Sequence, residues 1–187
     1  MDIEYTFGEE GNEFEIESFE ELIKLDNYDD IKLIDCSSNK LTTLPTLPTD
    51  LIQLCCSYNQ LKILPNLPTS LTALPILPTG LTDLYCENNK LTSLPTLPTG
   101  LKTLCCCHNN LTSLPTLPKN LTFLYCRSNL LTTLPILPKN LIHLICPGNK
   151  LTSLLSLPNS LTHLYCFNNN LSMLPKFPVN LTITVYN

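Results

Sequence analysis

Residues 81–100 read Leu81-Thr-Asp-Leu-Tyr-Cys-Glu-Asn-Asn-Lys-Leu-Thr-Ser-Leu-Pro-Thr-Leu-Pro-Thr-Gly100, and the same twenty-residue unit recurs along most of the chain. Counting in twenties, seven full copies start at Ile31, Leu51, Leu81, Leu101, Leu121, Leu141 and Leu161. A half copy without the Cys and Asn half occupies 71–80, and a terminal strand is expected over 181–187. A fixed period of this length predicts a solenoid, in which each unit buries its apolar side only against its neighbours.

Within a copy, slots four and six are apolar while slots three, five and seven vary. That alternation predicts a short strand with one buried face. Strands that recur in the same direction every turn must lie parallel, with Leu84–Cys86 beside Leu104–Cys106 and Leu124–Cys126. At a ladder spacing of about 4.8 Å, eight such strands extend over about 34 Å. The return segment carries proline at slots fifteen and eighteen, as in Pro95 and Pro98 or Pro115 and Pro118. Proline fixes φ and has no N–H to donate, so this side is extended and polyproline-like rather than helical. The expected fold is therefore an all-β-rich solenoid, with parallel strands on the concave side, an extended convex side and modest curvature.

Two residue types are assigned structural roles. Slot nine is Asn in every full copy, at Asn39, Asn59, Asn89, Asn109, Asn129, Asn149 and Asn169. An amide offers two donors and an acceptor, enough to satisfy the backbone where the strand turns inward and the ladder stops. Slot six is Cys36, Cys56, Cys86, Cys106, Cys126, Cys146 and Cys166, predicted to point inward as small hydrophobes. Parallel stacking does not bring such thiols into disulfide geometry. Cys55, Cys105 and Cys107 fall on the open strand face, and no C-x-x-C pair marks a zinc site. No metal and no other cofactor is expected.

The pattern Leu-x-x-Leu-x-Cys-x-x-Asn-x-Leu resembles the leucine-rich-repeat family over residues 31–187. The Leu-Pro-x-Leu-Pro second half looks most like the short repeats of bacterial secreted effectors. The Cys-rich, Asn/Lys-flavoured version is also similar to repeat proteins of giant amoeba-infecting viruses. These resemblances imply a solenoid that presents a binding surface. Some of the similar effectors carry a ubiquitin-ligase domain beside the repeats, but here the resemblance covers the repeats only.

Charge is uneven. Residues 1–30 hold twelve of the sixteen acidic residues and one base, Lys24, whereas 31–187 hold four acids and ten dispersed bases. The dispersion reads as solvated repeat edges rather than a nucleic-acid footprint. No stretch approaches the ~18 consecutive apolar residues of a membrane span. Met1–Gly11 is acidic and lacks an apolar run, so no secretory signal is expected. The expectation is an intracellular, cytoplasmic protein, in the host cytoplasm if viral, with its thiols reduced.

The first segment, 1–30, is read as an acidic cap on a solenoid spanning 31–187. Ser18-Phe-Glu-Glu21 is a capping box that predicts a short helix near 18–26 over the first copy, and the alternation in 12–16 suggests a strand. The half copy at 71–80 either adds a stunted strand or bulges on the convex side. Pro75 could not donate to a ladder, which favours the bulge.

The concave slots gather Phe123, Tyr125, Arg127, His143, Ile145, His163, Tyr165 and Phe167, with Tyr85 further along the same row. Aromatic and Arg side chains are favoured in interfaces. These residues are the candidate partner-binding site, and no catalytic residue is assigned. His143 and His163 should stand at matching positions of adjacent strands. Such a pair can hold a metal but more often makes binding pH-sensitive or does nothing. The functional expectation is a non-catalytic protein–protein interaction module with a protein partner and no membrane. The alternatives are the repeat region of a ubiquitin-ligase-like effector lacking its catalytic domain, or a nucleic-acid-binding solenoid. Nucleic acid is disfavoured as partner, and the oligomeric state is not legible in the sequence.

Overall fold

The computed structural model describes residues 2–8, 13–65, 80–154 and 156–185, with no description of the side chains of 183–185. Two strands lead, β1 (Ile3–Thr6) and β2 (Phe14–Ile16), followed by a single helical turn, α1 (Phe19–Leu22). Then come β3 (Leu33–Asp35), β4 (Gln53–Cys55), β5 (Asp83–Tyr85), β6 (Thr103–Cys105), β7 (Phe123–Tyr125), β8 (His143–Ile145), β9 (His163–Tyr165) and β10 (Ile183–Val185). They form one ten-stranded sheet in the order β10-β9-β8-β7-β6-β5-β4-β3-β1-β2. From β3 to β10 every pairing is parallel and without offset, so equivalent slots align along the sheet.

Each strand lies one residue earlier than the slot-four-to-six expectation. The ladder nevertheless continues past it, because the Cys86 N–H donates to the Cys105 carbonyl at 2.8 Å and the Cys106 N–H to the Tyr125 carbonyl at 2.8 Å. Two residues on, the chain turns through left-handed conformations at Ser38, Tyr58, Asn88, His108, Ser128, Gly148 and Asn168, with φ between 52° and 64°. This is a repeated corner at slot eight. Gly148 suits it best, since glycine alone meets no Cβ penalty there.

Inside the coil, slots one, four and six are buried in all seven full copies. The leucines of slots eleven, fourteen and seventeen close the same core from the return side. The inward thiols add a weak polar contact. Cys36, Cys56 and Cys86 each donate S–H to the slot-five carbonyl of the next turn at 3.4 Å. All ten cysteines are free thiols.

The slot-nine amides form the expected ladder, and from Asn59 to Asn169 each one joins two turns, while Asn39 of the first copy bonds the Asp2 backbone instead. Asn109 Oδ1 accepts from the Leu91 N–H at 3.0 Å. Its Nδ2 donates to the Cys86 carbonyl of the preceding turn at 3.0 Å, and to Cys106 and Cys107 of its own at 3.2 Å. Asn59, Asn89, Asn129 and Asn149 repeat the arrangement, all buried. The end members Asn39 and Asn169 are half-buried.

The front of the sheet departs from the reading of the sequence. Ser18 caps α1 as predicted, accepting from the Glu21 N–H at 3.3 Å, but the helix is one turn long instead of spanning 18–26. Asp26, Asn27, Asp29 and Asp30 are poor helix formers, and the chain passes instead through a 3₁₀ turn at Tyr28–Asp30. The edge of β3 is covered by β1, which pairs antiparallel with it (Tyr5 opposite Ile34) and with β2 on its other side. Ile3 and Tyr5 point into the core while Glu4 points out, an alternation that the acidic reading of the segment overlooked. At the irregularity, β4 and β5 are direct neighbours (Gln53 opposite Asp83). Apart from Gly80, the half copy at 71–80 lies outside the described residues, and so does Tyr186. Among the described residues no helix is long and apolar enough to cross a membrane.

Candidate functional site

Slots three and five alternate with the buried Leu of slot four, so they stand on the outer face of the sheet. They are half-buried rather than fully exposed, because neighbours in register cover one another's flanks. The parallel register runs Asp83, Thr103, Phe123, His143, His163 in slot three and Tyr85, Cys105, Tyr125, Ile145, Tyr165 in slot five. The face therefore has two chemically distinct halves.

Over β7–β9 the rings form one contiguous group. Phe123 meets His143 edge-on, with centroids 5.0 Å apart, and the rings of Phe123 and Tyr125 lie parallel at 6.5 Å. His143 and His163 are 4.1 Å apart and tilted by 31°. The Tyr125 hydroxyl lies 3.5 Å from His143 Nδ1, and the Thr162 hydroxyl lies 2.7 Å from His163 Nδ1. Desolvation holds the His143 imidazole below its ordinary pKa, with the nearby His163 adding to the effect. Ile145 stands between Tyr125 and Tyr165 in the ladder. At slot seven, beyond the strand ends, Arg127 is exposed and Phe167 half-buried.

Tyr85 is set apart from this group. It lies two strands from Tyr125, with Cys105 between them, on the half where acids and thiols gather: Asp35, Asp83, Glu87, Cys55, Cys105 and Cys107. Cys105 is raised well above the ordinary thiol range, first by its hydrogen bond with Cys107, then by burial, with the charge of Glu87 adding. Cys55 is pushed up to about 11, mainly by burial. Thiols held protonated are weak nucleophiles and weak metal ligands. One Glu87 carboxylate oxygen is buried without a hydrogen-bond partner. This acid–thiol half carries no sequence motif, since its members come from separate copies. His108 does not join Cys107 in a pair on this face; it sits at the left-handed corner, exposed.

No family model matches the chain, and no curated protein does. Solved structures do. The chain is similar to YopM from Yersinia enterocolitica WA-314, with 35% identity over 82% of this chain and 36% of that one, at a TM-score of 0.69. It is also similar to a Shigella effector LRR domain, with 32% identity over 77% of this chain and 62% of that one, at a TM-score of 0.63. The chain thus spans about a third of the YopM chain and under two thirds of the Shigella one.

Proposed function

We propose that this leucine-rich-repeat protein, built like the repeat domains of bacterial effectors, is a non-catalytic module that docks a partner protein on the β7–β9 half of its strand face. The observation that carries the reading is the unbroken group Phe123, Tyr125, His143 and His163, extended by Ile145 and Tyr165. Side chains on this face do not build the core, which is completed by slots one, four, six, eleven, fourteen and seventeen. Large aromatic groups placed where polar residues would fold equally well favour a second molecule that removes them from water. Arg127 at the rim adds a planar, charged donor for a carboxylate on that partner.

The likeness to a Shigella effector domain supports both a protein partner and an intracellular, host-cytoplasmic site of action. Tyr125→Ala and Tyr165→Ala introduced together should weaken binding by more than about 2 kcal/mol while leaving the fold intact, since both lie outside the core. Affinity capture from the native host with wild type and double variant tests this, with circular dichroism as the fold control. Recovery of the same proteins in the same amounts by both would refute the site. Binding to duplex DNA with a steep salt dependence would replace the reading with a nucleic-acid one.

A further inference from the structure

We infer that His143 and His163 form a two-imidazole site for a borderline divalent transition metal ion of the Zn²⁺ and Ni²⁺ class. The two residues face each other in register on adjacent parallel strands, and their rings lie 4.1 Å apart at a tilt of 31°. At a tilt of 31° the rings are close to stacked, so turning about the side-chain torsions must bring the two Nε2 lone pairs to one point, where metal–nitrogen bonds of about 2.0–2.1 Å span a tetrahedral N–N separation of ~3.3 Å.

Hydrogen bonding prepares the His163 nitrogen. The Thr162 hydroxyl donates its proton to the Ile142 carbonyl at 3.3 Å. Its oxygen is then left to accept at 2.7 Å, which places the proton of His163 on Nδ1 and the free lone pair on Nε2. On the neighbouring strand, His143 Nδ1 faces the Tyr125 hydroxyl at 3.5 Å, and the edge-on contact with Phe123 restrains the ring. Neither Nε2 is engaged in a hydrogen bond among the described residues. Outer partners that hold Nδ1 and present Nε2 are the usual support of a ligating histidine.

Among the described residues no group of three or more His, Cys, Asp or Glu is placed to hold a metal. The pair would therefore supply two ligands, and the remaining positions would go to water or to a donor on a docked molecule. Imidazole donors suit Zn²⁺ and Ni²⁺ rather than the hard, oxygen-seeking Mg²⁺ or Ca²⁺. The site stands on its own geometry and does not require the partner reading to hold.

Calorimetric titration of the full-length, tag-free chain with NiCl₂ or ZnCl₂ tests it. One ion per chain should bind, and His143→Gln and His163→Gln should each weaken binding at least tenfold. His108→Gln and Cys107→Ser should leave it unchanged. In NMR spectra, substoichiometric Ni²⁺ should broaden the imidazole signals of His143 and His163 together, a readout that needs no variant. The proposal fails if either His→Gln variant titrates like wild type, if Cys107→Ser abolishes binding, or if the two imidazole signals respond independently.

Discussion

At the scale of single residues, the slot-nine asparagine is the group whose removal leaves most undone. Asn109 is buried and serves one N–H and three carbonyls drawn from two successive turns. Ala cannot replace either the donor or the acceptor, so the Leu91 N–H would be orphaned, while the Cys86 carbonyl would keep only its 3.2 Å bond from Asn89 Nδ2. One buried unsatisfied group costs about 1–3 kcal/mol, and Asn109→Ala should lower stability by about 2 kcal/mol in urea unfolding. The half-buried Asn39 should lose less on the same change, because solvent can replace its partners. A loss below ~0.5 kcal/mol at Asn109 would show that the amide ladder is ornamental. The metal and tyrosine variants described above belong to this scale too, but they should spare stability, which separates the two faces of the coil by experiment.

At the scale of the repeat element, the alternation of Leu84 and Cys86 with Asp83 and Tyr85 decides which side chains are solvent-accessible. Reactivity should follow that division. The inward thiols are buried, and burial pushes Cys36 up to about 12. Cys55, Cys105 and Cys107 lie half-buried on the outer face. An aromatic disulfide reagent at pH 8 should thus titrate at most three thiols in the folded chain and all ten after denaturation. Rapid reaction of more than three in the folded state would mean that slot six is not inside. Period, strand direction, buried thiols and amide ladder were all legible in the sequence, because each is a contact between equivalent slots and is written once per copy. The left-handed corner was not. Its occupants are Ser38, Tyr58, Asn88, His108, Ser128, Gly148 and Asn168, and only the asparagines and the glycine advertise a positive φ. Of the capping hairpin, the strand expected over 12–16 is present as β2, whereas β1 was missed for the opposite reason, because it occurs once and its Ile-Glu-Tyr-Thr alternation is short. The ring group was legible as a list of slots. Its continuity came from the parallel register, and so did the isolation of Tyr85 behind Cys105.

At the scale of the whole molecule, each turn touches only its neighbours, so stability is a chain of local sums rather than a single figure. Those sums are unequal along the coil. Between residues 91 and 120 the return-side leucines Leu94, Leu97, Leu114 and Leu117 are buried, whereas Leu134, Leu137, Leu157, Leu171 and Phe177 are only partly covered. A large apolar side chain contributes about 1.5–3 kcal/mol when fully buried, so incomplete coverage forgoes a fraction of that at each position. The backbone bonds do not compensate. Lys102 N–H to the Thr82 carbonyl and Thr182 N–H to the Thr162 carbonyl are both 2.8 Å, equal in length at the two ends. Local opening should therefore be easier in the later turns, and native-state hydrogen exchange should report it. The Thr162 and Thr182 amides should exchange at least tenfold faster than those of Lys102 and Thr122, with the difference vanishing in denaturant as global unfolding takes over. Uniform protection from Lys102 to Thr182 would mean that the turns open as one cooperative block. Unequal coverage of the return side would then have no energetic consequence, and the additive view of this coil would be wrong.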